Sequence, residues 1–198
     1  MKLILIRHGK TEANERHLYC GSTDISLSEN GKSEMMHRRE NTVYPNPDGF
    51  RILTSGMKRC EETLEILYGK VTHETDCAFC EMDFGAFEMR SYEEMKNDPD
   101  YIAWISGDNE ANITPGGESG NMMTARVIEG VNRLIEEGGD TLLVTHGGVI
   151  AAIMASLFPN AGKNRYEWQP KPGEGYMVDT ETNTYDIIKN REKTDSHR

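Results

Sequence analysis

The distribution of apolar and polar positions predicts an α/β protein. Residues 3–6 are four consecutive aliphatic residues, and residues 141–145 form a second such run between two threonines. Apolar runs without alternation indicate strands that are buried on both faces, as in a parallel sheet. The remaining predicted strands are 50–55, 71–75 and a closing hairpin of 176–179 with 185–188.

Helical periodicity appears between these strands. Apolar residues spaced by three and four from Met123 to Ile135 predict a long amphipathic helix, which Gly138 and Gly139 end. Further helices are predicted at 28–40 with Ser28 as N-cap, at 57–68 and at 149–158. Strands that alternate with helices are expected to be parallel. The predicted fold is therefore a three-layer α/β/α domain with a mostly parallel central sheet.

The segment before the long helix does not continue the alternation of predicted strands and helices. Residues 81–120 have no strand pattern, are rich in acidic residues and contain the breakers Pro99 and Pro115. We predict one domain over 1–198, in which residues from about 81 to 120 form a small helical cap insertion. Residues 10–27 are predicted as a polar loop, and the chain from about Glu192 as a disordered tail.

Composition narrows the function classes. The chain has 198 residues, 36% of them hydrophobic, and a formal net charge of −11. A strongly acidic protein lacks the basic face that binding to nucleic acid or an anionic membrane needs. No apolar run has the length of a signal peptide or membrane span. Four cysteines do not suggest a disulfide scaffold, so we expect a cytoplasmic protein; its oligomeric state stays open.

Cationic side chains follow three of the predicted parallel strands. Arg7 and His8 follow the first, Ser55 and then Arg59 follow the second, and His146 follows another. The carboxyl ends of parallel strands lie at one edge of a sheet, where ligands bind. We expect the helices that follow to offer free N–H groups and the positive ends of their dipoles. These features favour a compact dianion such as phosphate.

The residue types also suggest a reaction. Neutral imidazole is a competent nucleophile near neutral pH, and arginine matches phosphoryl oxygens with paired donors. Glu81 is the candidate proton donor for the leaving oxygen. The alternatives for His8 are a purely structural role or, together with His146, metal ligation. Adjacent arginines disfavour a cation, so we predict neither a metal nor a cofactor. The Cys-x-x-Cys spacing at 77–80 is read as coincidence.

Five segments together resemble motifs of the histidine phosphatase superfamily, which is phosphoglycerate-mutase-like (branch 1). They are residues 5–14, 55–63, 81–88, 115–119 and 144–148. The resemblance covers nearly the whole chain. It departs from the family pattern at Lys10, where glutamate is usual, and at Gly56, where proline is common. Both departures fall outside the residues that would react.

The resemblance implies a role for each matching residue. His8 would become the phosphohistidine, while Glu81 would protonate the leaving group and then activate water. The phosphoryl oxygens would be held by Arg7, Arg59 and His146 with help from Asn14. Further contacts with phosphate or substrate are expected at Thr11, Gly21 and Gly147. The implied activity is a histidine acid phosphatase-type phosphatase acting on a small phosphorylated molecule.

The residues after Glu81 resemble some members of the superfamily more than others. Mutases typically follow the acidic residue with Arg-His-Tyr-Gly, whereas Met82, Asp83 and Phe84 follow Glu81 here. The chain looks most like α-ribazole-5′-phosphate phosphatases of cobalamin biosynthesis, and aromatic cap residues such as Trp104 could stack on a flat leaving group. The alternatives are a cofactor-dependent phosphoglycerate mutase and a non-catalytic module that binds phosphorylated ligands.

Overall fold

A computed structural model describes residues 1–108 and 110–189, and its centre is a six-stranded sheet. The strands are β1 (Lys2–Arg7), β2 (Arg51–Thr54), β3 (Glu74–Thr75), β4 (Thr141–Thr145), β5 (Gly175–Asp179) and β6 (Thr184–Ile188). Their spatial order is β3-β2-β4-β1-β5-β6. Strands β1 to β4 are parallel, and the hairpin β5-β6 adds two antiparallel strands beside β1. The tail predicted from Glu192 lies outside the described residues.

Helices cover both faces of the sheet. They are α1 (Glu12–Glu15), α2 (Glu29–Asn41), α3 (Lys58–Tyr68), α4 (Tyr92–Met95), α5 (Pro99–Ile105), α6 (Gly120–Glu137) and α7 (Gly147–Leu157). Short 3₁₀ helices occur at Cys77–Phe79, Gly85–Phe87 and Arg165–Trp168. As predicted, Ser28 caps α2 by accepting a hydrogen bond from the N–H of Gly31.

The buried strand β1 separates two hydrophobic cores. Leu3 and Leu5 pack with apolar residues of α6 and α7, whereas Ile4 and Ile6 pack with α2 and α3. Successive side chains of a strand point to opposite faces, so four consecutive aliphatic residues supply two faces at once. The predicted three-layer α/β/α class with a mostly parallel sheet is confirmed.

Two local predictions were wrong. The stretch 10–27 contains the helix α1, which Thr11 caps and in which only Ala13 is buried. One turn with one buried residue leaves no periodic pattern for the sequence to reveal. The strand predicted at 71–75 is only two residues long, Glu74–Thr75, and the ring of the preceding His73 bonds the carbonyl of Val71 and the carboxylate of Glu61.

The described residues between 81 and 120 contribute no strand to the sheet and form α4, α5 and a 3₁₀ turn. Four of their aromatic rings and that of Tyr19 pack in one aromatic cluster, mostly edge to face: Tyr19, Phe84, Phe87, Tyr101 and Trp104. Within residues 1–108 and 110–189, helices long and apolar enough to cross a membrane are absent.

Candidate active site

His8 follows β1 directly and is almost fully buried. Its backbone N–H donates to the carbonyl of Thr145, 2.9 Å away, which fixes the residue at the carboxyl edge of β4. Its ring nitrogen Nδ1 lies 2.6 Å from the carbonyl oxygen of Gly9. A carbonyl oxygen only accepts, so Nδ1 carries the proton and the lone pair is on Nε2. The backbone thus selects the tautomer that has a nucleophilic Nε2.

The surroundings of His8 also set its charge. Burial, followed by the positive charges of Arg59 and Arg7, lowers the pKa of His8 well below its ordinary value of 6.5. Desolvation and neighbouring cations both disfavour an imidazolium ion. The ring is therefore neutral at neutral pH, as a nucleophile must be.

His146 follows β4 and lies beside His8, with ring centroids 5.1 Å apart. Its Nδ1 accepts from Nε of Arg59 at 3.3 Å, so its proton is on Nε2, 2.9 Å from the hydroxyl of Ser55. Burial, and then the charge of Arg59, lowers the pKa of His146 well below its usual range. Residues that follow β1, β2 and β4 thus meet at one edge of the sheet.

Arg59, in the first turn of α3, is held from a distant loop. Its two Nη atoms donate to the carbonyl oxygens of Thr23 (2.9 Å) and Gly21 (2.6 Å). That loop, residues 21–23, is in turn held by Glu88, whose carboxylate accepts from the backbone N–H groups of Gly21, Ser22 and Thr23. The Thr23 hydroxyl adds a fourth donor to Glu88, at 2.6 Å. Glu88 therefore sets the position of Arg59 through the 21–23 loop.

Arg7 ends β1 and places its guanidinium against Gly147. One Nη donates to the carbonyl of Pro170 at 2.8 Å, while the buried Nε has no hydrogen-bond partner among the described residues. A Cβ atom at position 147 would lie 2.9 Å from the guanidinium carbon, so glycine makes this close approach available. The carboxylate of Glu81 raises the pKa of Arg7, although burial outweighs it and lowers that pKa overall.

Glu81 completes the group. One carboxylate oxygen accepts from the N–H of Gly148 at 3.0 Å, so the acid lies at the first turn of α7, beside Arg7. The prediction that the helix N-termini offer free N–H groups needs a partial correction, because one N–H of each is taken: Gly148 donates to Glu81, and the N–H of Lys58 in α3 donates to Asp24. Both N-termini already hold carboxylates of the protein itself.

A second arginine fixes the backbone around Glu81. Arg126 of α6 donates to the carbonyl oxygens of Ala78, Cys80 and Glu81 at 2.7–3.0 Å. It also forms a two-point pair with the carboxylate of Glu118. Sequence reasoning missed Arg126, and it included Glu118 only as a member of the motif-like segment 115–119. One sequence signal could have pointed to Arg126. It is a cationic residue in α6, a helix whose buried face is otherwise apolar.

The remaining predicted site residues have polar atoms engaged within the protein. Thr11 and Asn14 bond each other in the cap of α1, where Oδ1 of Asn14 accepts from the N–H and hydroxyl of Thr11. Gly21 uses its N–H for Glu88 and its carbonyl for Arg59. The contacts of Thr11, Asn14 and Gly21 with substrate stay predictions.

A cavity of about 350 Å³ opens beside Glu81. Its apolar wall includes Leu18, Tyr19, Met82, Phe84, Trp104 and Ile105. Its charged lining residues are Glu81, Glu110 and Arg165. Among the described residues, no group of three or more histidine, cysteine or acidic side chains could hold a metal ion. His8, His146, Arg7 and Arg59 thus form a buried group of basic side chains next to Glu81, and an aromatic cavity adjoins the group at Glu81.

Comparisons with known proteins agree with this geometry. The family model of the histidine phosphatase superfamily (branch 1) matches residues 3–190, and the chain belongs to this superfamily. An adenosylcobalamin/α-ribazole phosphatase of Salmonella typhimurium is 29% identical over 187 residues, 90% of each chain. The crystal structure of the α-ribazole phosphatase from Shigella flexneri superposes with a TM-score of 0.82 at 25% identity, covering 96% of each chain.

Mutases are also among the relatives. A 2,3-bisphosphoglycerate-dependent phosphoglycerate mutase of Cytophaga hutchinsonii is 28% identical over 171 residues, 78% of this chain and 76% of the mutase. The superfamily prediction and the prediction of a phosphatase within it are confirmed. The role of each site residue stays a prediction.

The link from Glu88 to Arg59 can be tested in this phosphatase. We expect Glu88→Gln to lower kcat on the order of 10²-fold, because an amide NH₂ facing backbone N–H donors releases the 21–23 loop and misplaces Arg59. Fast and slow leaving groups should be affected equally, since Arg59 acts on the phosphoryl group. Glu129→Gln, at an exposed position of α6, is the matched control. Unchanged kcat in Glu88→Gln would contradict the link.

Proposed function

We propose that the chain hydrolyses phosphomonoesters of small molecules through a phosphohistidine formed on Nε2 of His8. The observation that carries this is the hydrogen bond from Nδ1 of His8 to the Gly9 carbonyl, which leaves Nε2 with its lone pair. The guanidinium groups of Arg7 and Arg59 lie close enough to His8 to lower its pKa. They are the groups that would balance the charge of the phosphoryl oxygens.

The reaction has two steps. In the first, Nε2 of His8 forms a bond to phosphorus while the ester P–O bond breaks, and Glu81 gives its proton to the departing oxygen. In the second, the Glu81 carboxylate takes a proton from water, whose oxygen attacks phosphorus and releases His8. His146, which Arg59 and Ser55 orient, lies beside His8 and would contact the phosphoryl group together with Arg7 and Arg59.

The leaving group would occupy the aromatic cavity. Residues from about 81 to 120 act in this proposal as the cap that selects it. Trp104 and Phe84 line the cavity beside Tyr19, and such rings favour a planar apolar partner. We therefore propose α-ribazole 5′-phosphate, or a phosphorylated metabolite of similar shape, as substrate. A cytoplasmic location, which the cysteine composition supports, is part of the same proposal.

A substrate comparison tests this function. The purified chain is assayed with 4-nitrophenyl phosphate, α-ribazole 5′-phosphate and 3-phosphoglycerate, in EDTA. We expect phosphate release from the first two and a higher kcat/KM for α-ribazole 5′-phosphate. Conversion of 3-phosphoglycerate to its 2-isomer at a faster rate would support the mutase instead. Binding of these esters without any turnover would support the non-catalytic module.

A further inference from the structure

The aromatic cavity contains an ion pair that the reaction does not use. Glu110, which follows α5, accepts a hydrogen bond from Arg165 of the 3₁₀ helix Arg165–Trp168, and both side chains line the cavity. Besides Glu81, they are its only charged lining residues in the part of the chain that the structure describes. One is in the predicted cap and the other is in the segment after α7. The pair therefore spans the cavity between two separate parts of the chain.

The surrounding backbone accommodates this pair. The carbonyl of Glu110 accepts from the N–H of Asn121 at 2.9 Å, which ties its backbone to the first turn of α6. A Cβ atom at Gly120 would collide with the Glu110 carboxylate and would lie 3.0 Å from Nη1 of Arg165. The absence of a side chain at Gly120 thus leaves the space that both charged groups occupy.

We propose that Glu110 is a specificity-determining residue: by neutralising Arg165 it restricts the enzyme to phosphomonoesters whose leaving group carries no negative charge. This inference rests on the proposed phosphatase function and adds the charge of the leaving group that the cavity accepts. The class of substrate is thus an uncharged, partly apolar alcohol esterified with one phosphate.

The physical reason is the charge balance of the cavity. An anionic leaving group loses its hydration on entry and needs an unpaired donor with positive charge in exchange. Arg165 is the one cation that lines the cavity among the described residues, and Glu110 already occupies it. The Glu110 carboxylate would repel the anion further. An uncharged leaving group meets neither penalty and gains contact with the aromatic wall.

Two nearly isosteric substrates test the proposal. 3-Phosphoglycerate and glycerol 3-phosphate differ only in a carboxylate that replaces a hydroxymethyl group. The measured quantity is the ratio of their kcat/KM values for phosphate release. We expect Glu110→Gln to raise the ratio of kcat/KM for 3-phosphoglycerate to that for glycerol 3-phosphate about tenfold. This is the effect expected for one additional charge-assisted hydrogen bond. The gain should appear mainly as a lower KM for 3-phosphoglycerate, because the carboxylate does not take part in the chemistry.

Two further variants separate specificity from structure. The double variant Glu110→Gln with Arg165→Gln should return the ratio to that of the unmodified enzyme, because the released cation is gone. Glu93→Gln in α4 is the control. It removes the same charge from an exposed ion pair, that of Glu93 with Lys96, and should leave the ratio unchanged. An unchanged ratio in Glu110→Gln, or a gain that persists in the double variant or appears in Glu93→Gln, overturns the proposal. Failure of the unmodified enzyme to hydrolyse any phosphomonoester refutes the proposed function itself.

Discussion

Replacement of His8 by alanine should lower phosphomonoester turnover by about 10⁴-fold or more, as loss of a nucleophile does in other covalent enzymes. The reason is that, within residues 1–108 and 110–189, no other side chain at this edge of the sheet has an imidazole nitrogen with a free lone pair. Nδ1 of His146 accepts from Arg59, and its Nε2 carries the proton that faces Ser55. His146 is therefore expected not to replace His8.

Covalent labelling measures this result directly. The unmodified enzyme, quenched during turnover of a ³²P-labelled ester, should carry label that is stable to alkali and labile to acid. His8→Ala should carry none. His37→Ala, at an exposed position of α2, is the control and should keep both label and rate. Label on His8→Ala, or a rate close to that of the unmodified enzyme, would rule out His8 as the nucleophile.

The sheet and the grouping of Arg7, His8 and His146 at its edge could be predicted because they have local signals. The aliphatic run before Arg7 has no polar interruption, which indicates burial on both faces, and the chain leaves the sheet where that run stops. Likewise, β4 is buried along its whole length, and the chain leaves the sheet at His146. Once these strands are parallel, their carboxyl ends must share an edge, so Arg7, His8 and His146 come together without knowledge of any loop.

The hydrogen bonds that hold the site residues in position could not be predicted in this way. Glu88 bonds the backbone of the 21–23 loop, 65 to 67 residues earlier in the chain, and Arg126 bonds carbonyl groups 45 to 48 residues away. Hydrogen bonds to the backbone leave no periodicity and no requirement for a particular residue type at the other end. That the N–H of Gly148, in the first turn of α7, is taken by the distant Glu81 could not be predicted for the same reason.

The residues of the aromatic cluster differ in whether they only pack against other rings or also line the cavity. Tyr101 is 2% exposed and bonds the hydroxyl of Tyr19, so its main role is packing. Trp104 is 9% exposed but still lines the cavity, and so do Tyr19 and Phe84. Sequence spacing could not separate Tyr101 from Trp104, because both are buried residues of the same short helix α5.

The leaving-group dependence of Glu81→Gln is the second large effect that we expect. An alkyl phosphate releases a strongly basic alkoxide, which needs a proton from Glu81, whereas 4-nitrophenolate leaves without one. General acids contribute roughly 10² to 10⁴ to such steps. We expect kcat/KM to fall about 10³-fold for glycerol 3-phosphate but less than about tenfold for 4-nitrophenyl phosphate. The amide still occupies the space beside Gly148, so phosphate binding should persist.

The second step gives the same variant a distinct kinetic signature. Glu81→Gln can no longer take the proton from water, so 4-nitrophenyl phosphate should produce a burst of one nitrophenolate per site, followed by a slow phase. Phosphohistidine should accumulate during that phase. Glu88→Gln should show no burst, because Arg59 serves both steps equally. A loss of equal size on both esters, with no burst, would assign the proton transfer to another group and leave Glu81 as a structural partner of the α7 N-terminus.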